Sequence, residues 1–310
     1  MKKGSQGLHH VTAIAGDPRR NLAFYAGTLG LRFVKRTVNF DDPGTYHFYF
    51  GDRLGHPGTL LTFFPWAGAR PGRPGAGQAV LASYAIPHGA TDYWAERLAA
   101  EGVAGLQRRE RFGAPELRFT DPDGMGLALV ERDAPRGEPW PGSPVPGATQ
   151  ITGLAGTTLR LRGRDATALL LTELLGFRAL GEDAGVLRLE SPDGSTADLL
   201  RDPDASAGTM GAGTIHHVAW RAADEADQAR LRGEILGRAL GVTPIVDRQY
   251  FRSIYFREPG GVLFEVATDG PGFLVDEAEA TLGATLRLPP EYESQREAIA
   301  AGLPSLEVPA

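Results

Sequence analysis

The stretch Gly7–Ile14, GLHHVTAI, is echoed at Gly213–Trp220, GTIHHVAW. The chain has only seven histidines, and four of them stand in these two adjacent pairs, each entering an apolar run of strand character. Working outward from the first pair, the strand LHHVTAIAG gives way to DPRRNLAFYAGTLG. There Asp17 is placed to cap a helix, Pro18 to occupy its first position, and Gly27 or Gly30 to end it. Three strands follow, in LRFVKRTVNF, YHFYFGD and TLLTFFPW.

The same order of elements recurs three more times. Gly/Pro-rich stretches at 67–78, 133–150 and 202–214 separate four segments of similar size, each reading as strand, short helix, then two or three short strands. The helices are expected in TDYWAERLAAEG, DATALLLTELLG and EADQARLRGEILGRALG. A βαβββ unit of this size cannot bury its sheet face alone, so the units should pair into two barrel-like curved sheets in an α+β fold. The chain divides into units one and two over residues 1–140, units three and four over 141–275, and a strand-poor tail over 276–310 packed on the outside.

Composition narrows the chemistry. There are 310 residues, a net charge of −6 and a pI near 5.7, with no basic stripe for nucleic acid or an anionic membrane. No apolar run is long enough to cross a bilayer, and MKKGSQGLHH lacks the apolar core of a signal peptide, which makes a cytoplasmic protein the default expectation. Without cysteine there is no thiolate catalysis and no sulfur-ligated metal. The glycine-containing linkers lack a following helix start and lysine, so no phosphate loop or other organic-cofactor motif is present.

Superimposing the repeats on the turn before each last strand locates a site. Glu265 lies six residues after Pro259, and the equivalent positions are Ala128 after Pro122 and Asp198 after Pro192. Matching Gly58 to Gly261 sets Thr62 opposite Glu265. In the first strands His10 matches His217, whereas the third unit has Gly156 and the second has no histidine. Units one and four therefore offer His10, His217 and Glu265, with Thr62 at the vacant fourth position. Two imidazoles and a carboxylate on one face of an octahedral iron(II) leave positions open for substrate and dioxygen. A carboxylate inside the apolar strand GVLFEVA is costly unless paired or metal-bound. If this grouping is right, units one and four close around one metal and units two and three pair with each other.

Alternation along a strand sets His10 and Thr12 on one face and turns His9 and His216 to the other, as hydrogen-bond donors to the ligands or interface residues. Asp198, in a unit without histidine, reads as a structural carboxylate bonded to an arginine. His47 lies on a strand of the first unit and is a candidate to face the pocket, with core packing the commoner role, and His56 and His88 read as solvent-facing. Trp220, Phe251 and Phe264 are candidates for an aromatic-binding wall, with core packing the commoner role of such residues.

These features resemble the vicinal oxygen chelate superfamily of glyoxalases, fosfomycin-resistance proteins and extradiol dioxygenases. More narrowly, residues 8–66, GTIHHVAW and DRQYFRSIYFREPGGVLFEVATDGPGF are similar to hydroquinone-type ring-cleaving dioxygenases. The resemblance implies a non-haem iron(II) enzyme ligated by His10, His217 and Glu265, with iron replaceable by zinc, manganese or nickel during purification. It implies a surrounding set of His9, Thr12, His216, Arg248 and Tyr255, a small aromatic substrate with dioxygen, and a role in aromatic compound degradation. The expected assembly is a homo-oligomer. Two alternatives stand beside it: a glyoxalase-like isomerase or lyase on the same scaffold, and a metal-free small-molecule-binding resistance protein. Thr62 counts against the first, the intact ligand set against the second.

Overall fold

The computed structural model describes residues 5–132 and 137–307, so part of the 133–150 linker lies outside the described residues. The first unit runs β1 (Leu8–Ala15), α1 (Pro18–Leu22), β2 (Arg32–Asn39), β3 (Asp42–Gly51) and β4 (Leu60–Pro65). The second runs β5 (Gln78–Ile86), α2 (Thr91–Ala100), β6 (Gln107–Arg111), β7 (Ala114–Thr120) and β8 (Gly126–Glu131). The third has β9 (Gly153–Leu161), α3 (Asp165–Glu173), β10 (Arg178–Asp183), β11 (Val186–Glu190) and β12 (Thr196–Arg201). The fourth has β13 (Thr214–Ala222), α4 (Glu225–Gly237), β14 (Val246–Asp247), β15 (Phe251–Arg257) and β16 (Leu263–Pro271).

Sixteen strands make two eight-stranded sheets. One is ordered β14-β15-β16-β13-β1-β4-β3-β2, the other β10-β11-β12-β9-β5-β8-β7-β6. The first sheet thus joins unit one to unit four through the antiparallel pair β1–β13, and the second joins unit two to unit three through β5–β9. The two linkers that cross between the sheets run side by side, bridged at Pro71–Ala212, Arg73–Thr209 and Ala76–Ala207. Gly75 permits this contact, because a Cβ there would lie 2.4 Å from the backbone nitrogen of Gly208.

Asp17 caps α1 as its sequence position predicts, accepting from the backbone N–H groups of Arg19 at 2.7 Å and Arg20 at 3.2 Å. The helix then widens into a π-helical turn over Ala23–Thr28 before the left-handed Gly30. One apolar cluster runs through all four units, from Phe48 and Trp94 to Leu171 and Trp220. Trp220 and Phe264 belong to this core.

The tail does more than cover the outside. Leu282, Leu288 and Leu303 are buried, and Glu277 joins Asp276 in holding the fully buried ammonium of Lys35. Removing one partner from such a buried pair costs about 3–5 kcal/mol. The tail is therefore part of the wall behind β2, and it carries one further helix, α5 (Arg296–Gly302).

Candidate metal centre

The two histidine doublets sit on two β-bulges. Along β1–β13, Leu8 pairs with Trp220 and His10 with Ala219, so His9 is the extra residue of β1. Further along, Thr12 pairs with His217 and Ala13 with Ile215, so His216 is the extra residue of β13. A bulge re-aims side chains and sharpens the local twist. Here it turns the second histidine of each doublet into the concave side of the sheet.

His10, His217 and Glu265 are buried and converge. The His10 and His217 Nε2 atoms lie 3.3 Å apart, and Oε2 of Glu265 is 3.3 Å from the first and 2.9 Å from the second. At metal–ligand distances of about 2.1 Å, neighbouring donors stand about 3.0 Å apart in an octahedron and about 3.4 Å apart in a tetrahedron. The three edges suit one face of either polyhedron. Oε1 of Glu265 accepts a short hydrogen bond from Ser253, while Oε2 is buried without a hydrogen-bond partner. An orphaned, buried carboxylate oxygen facing two imidazole nitrogens is what a divalent metal satisfies. Burial raises the Glu265 pKa, but the adjoining His10 and then His217 outweigh it and hold the carboxyl well below its usual range.

His9 sets the tautomer of His10. Its Nε2 lies 3.1 Å from the carbonyl of Thr268, which can only accept, so His9 donates there. Burial and then the neighbouring His10 keep His9 well below its ordinary pKa, so it is neutral and its Nδ1 is an acceptor. The His10 Nδ1, 2.8 Å away, must then carry the hydrogen, which leaves the His10 Nε2 lone pair pointing at the cluster. The expected donor is thus an acceptor. His216 Nδ1 and His217 Nδ1 repeat the contact at 2.8 Å.

The cluster opens into a cavity of about 330 Å³ lined by Phe40, His47, Tyr49, Phe64, Trp66, His216, Arg248, Phe251 and Tyr255 among others. His216, Arg248 and Tyr255 thus meet His10, His217 and Glu265 at one site, and His216 faces the cavity rather than the opposite side of the sheet. His9 and Thr12 do not reach the cavity wall: His9 stands behind His10, and Thr12 hydrogen-bonds Thr62 at 2.8 Å.

Of the two sequence readings of His47, the less favoured one holds, and it lies on the cavity wall. Its Nε2 is 3.0 Å from Thr62 Oγ1, and its Nδ1 is 2.9 Å from the hydroxyl of Tyr49. The signal available was its place on the strand, since Tyr49 pairs with Thr62, the repeat partner of Glu265. Thr62 itself is hydrogen-bonded to Thr12 and His47. Phe251 packs on His10 at 5.2 Å between ring centroids and forms part of the wall.

Arg248 is held by three contacts. Its Nε donates to the Tyr255 hydroxyl at 3.1 Å, and its two Nη atoms reach Asp41 at 3.2 and 2.9 Å. Burial, and then Glu265, push the Tyr255 phenol well above its ordinary value, with Arg248 offsetting part of the rise. Burial and then His217 bring His216 down to about 3, and burial and then His10 hold His47 well below its usual value. His56, on Asp52, and His88 lie apart and are partly or largely exposed. Asp198 takes a bidentate pair from Arg188 at 2.7 and 2.8 Å, the arginine partner its unit predicts.

A protein related along its whole length places this chain. It is 47% identical over 310 residues, covers 99% of each chain, and bears the name "Putative ring-cleaving dioxygenase MhqO" in Bacillus subtilis (strain 168). The family model described as Glyoxalase/Bleomycin resistance protein/Dioxygenase superfamily matches residues 7–129. The chain belongs to that glyoxalase/dioxygenase superfamily. Another superfamily member, the Chlorohydroquinone/hydroquinone 1,2-dioxygenase of Sphingobium indicum, is 36% identical over 304 residues, 94% of each chain. The crystal structure of a dioxygenase so titled, again as putative, from Bacillus subtilis superposes at a TM-score of 0.95 across 99% of both chains. Glyoxalase I of Zea mays, at 15% identity and a TM-score of 0.64 over 85% of this chain and 92% of that one, shares the superfamily fold.

Proposed function

We propose that this chain is a non-haem iron(II)-dependent ring-cleaving dioxygenase acting on a hydroquinone or related phenol. The observation that carries the reading is the three-donor cluster of His10, His217 and Glu265. Among the described residues it has no fourth His, Cys, Asp or Glu donor, and it opens on an aromatic-walled cavity. The names borne by the full-length relatives support it. Iron(II) held there supplies a redox-active Lewis acid with open coordination positions for a phenol and dioxygen.

The remaining work falls to side chains of the wall. Phe64, Trp66 and Phe251 offer faces and edges for an aromatic ring. Arg248 presents a fork of donors whose acid partner, Asp41, has a 72% exposed side chain. A surface pair of this kind is worth about 0–1 kcal/mol, so an anionic oxygen can replace Asp41 on the guanidinium. Tyr255 keeps its proton at neutral pH and can donate it to developing negative charge. His47 and His216 are neutral, and each can take a proton from a substrate hydroxyl. In a para-dihydroxy substrate the two hydroxyls lie too far apart for one metal to hold both, so the second hydroxyl would fall to these groups.

The test is anaerobic reconstitution with iron(II) and oxygen uptake across hydroquinones and catechols. The expected result is one dioxygen consumed per ring opened, with hydroquinones preferred. Fully iron-loaded protein that consumes no oxygen with any of them, yet isomerises a thiol adduct, would replace this reading with the glyoxalase-like one.

A further inference from the structure

The second sheet contains a cup at the position that corresponds to the metal centre. Along β5–β9, Ala79 pairs with Leu159 and Leu81 with Thr158, which makes Val80 the extra residue. Ser83 pairs with Gly156 and Tyr84 with Leu154, which makes Ala155 the second. Val80 and Ala155 therefore stand for His9 and His216, and Leu81 and Gly156 for the ligands His10 and His217. No side chain fits at 156, where a Cβ would come within 2.2 Å of Thr196 Oγ1.

The cross-strand pairs differ between the two sheets. Tyr255 opposes Glu265 and Tyr49 opposes Thr62 in the first sheet, whereas Arg188 opposes Asp198 and Arg118 opposes Ala128 in the second. Two tyrosines have become two arginines. Arg188 is committed to Asp198 by two hydrogen bonds and stacks on Phe112 at 3.9 Å, and Arg118 is committed to the buried Glu116 by a short bond.

Arg111 is the buried cation with no acid of its own. Its side chain is only 13% exposed, its nearest acid is the already engaged Asp198 at 3.6 Å, and its Nη2 is buried with no hydrogen-bond partner. It lines a cavity of about 340 Å³ together with Arg109 and Arg118, the acids Glu110, Glu116 and Asp183, and the apolar Leu81, Val186 and Leu200. Burial lowers the pKa of its guanidinium, and Asp198 offsets this in part.

We propose that this cavity is a binding site for a small organic carboxylate, whose charged end pairs with Arg111 and whose apolar body lies against Leu81, Val186 and Leu200. The buried Nη2 of Arg111 lacks an acceptor, and one carboxylate supplies it, because a buried guanidinium is stable only when paired and hydrogen-bonded. A doubly charged inorganic anion would meet Glu116 and Asp198 and leave the apolar walls unused.

The experiment is calorimetric titration of the full-length, metal-loaded protein with benzoate and, separately, with inorganic phosphate. Benzoate is expected to bind the parent, with Arg111→Gln and Leu200→Trp each weakening it tenfold or more. Arg248→Met, in the other cavity, should leave that binding event unchanged. Benzoate binding in R111Q and L200W that equals the parent's overturns the site, as does loss of all binding in R248M. Phosphate binding as tightly as benzoate overturns the ligand class.

Discussion

His217 Nε2 stands 2.9 Å from Oε2 of Glu265, and that buried oxygen has no hydrogen-bond donor of its own. Asp198, at the corresponding place in the second sheet, is instead clamped by Arg188. Two carboxylates in the same place of the same fold thus have different work, one facing imidazole lone pairs and the other a guanidinium.

Glu265→Gln and Asp198→Asn should separate these roles. E265Q is expected to lower metal occupancy at least tenfold after dialysis, measured by elemental analysis, because a neutral amide is a poor replacement for a carboxylate ligand. D198N should keep its metal and lose stability instead, by about 3–5 kcal/mol in urea unfolding, since Arg188 is left as an uncompensated charge. Equal metal content in both variants and the parent would remove Glu265 from the ligand set.

Removing the acceptor behind His10 should weaken the site without touching a ligand. In His9→Phe the proton on His10 Nδ1 loses its partner, and the Nε2–H tautomer, which cannot bind metal, becomes accessible. Metal affinity should fall by about 10–100-fold, with little change in the secondary structure read by circular dichroism. Unaltered affinity in a competition titration with a chelator would show that the doublet contact does not set the tautomer.

Much of this was readable in the residues. The alternation of LHHVTAIAG, the Asp17-Pro18 cap and the repeated turn before each last strand locate the units, and the repeat match brings His10, His217 and Glu265 together. Local patterns of apolar spacing and capping survive into the fold because they are satisfied within one element. The bulges at His9 and His216 were not readable, because each depends on the register against a partner strand two hundred residues away. Strict alternation turned His216 away from the cavity, and the bulge brings it back. Core packing is the favoured reading of His47 because an imidazole inside YHFYF looks like core until β3 is known to pair with Thr62's strand. Asp41, in the β2–β3 turn, gives no sequence sign that it will hold Arg248.

The metal-free protein should be acid-labile. Burial, the largest influence in each case, holds the folded-state pKa of His9, His47, His216 and His217 below the ordinary value of 6.5. The folded chain then binds fewer protons than the unfolded chain, so stability is fully present above about pH 6.5 and falls as the pH drops. For His216 the window extends down to about 3. Each imidazole removes about 1.4 kcal/mol per pH unit inside its window. Asp121 works the other way, since burial raises its pKa from 3.8 to about 6 and its contribution to stability is lost as pH rises through that value. Urea midpoints of chelator-treated protein should decline from pH 7.5 to pH 5, and less steeply in His216→Gln. A flat profile would show that these imidazoles are not held neutral.

Tyr255 and Arg248 should separate as proton donor and anchor. Tyr255→Phe removes a hydroxyl that burial keeps protonated well above the ordinary phenol range, while leaving the ring against His217 at a centroid distance of 5.8 Å. If the phenol donates to charge that develops during ring opening, Y255F should lower kcat by about 10²–10³, as expected for loss of one preorganised donor, with KM for the hydroquinone nearly unchanged. Arg248→Lys keeps a charge but cannot contact Tyr255 and a substrate oxygen in the same fork, so its effect should fall on KM first. Asp41→Asn should lower KM modestly, because the competing carboxylate is gone from the guanidinium. Steady-state oxygen uptake over a range of hydroquinone concentrations resolves the three. A Y255F variant with parental kcat would show that the proton comes from elsewhere, and the neutral imidazoles of His47 and His216 on the same wall would be the next groups to replace.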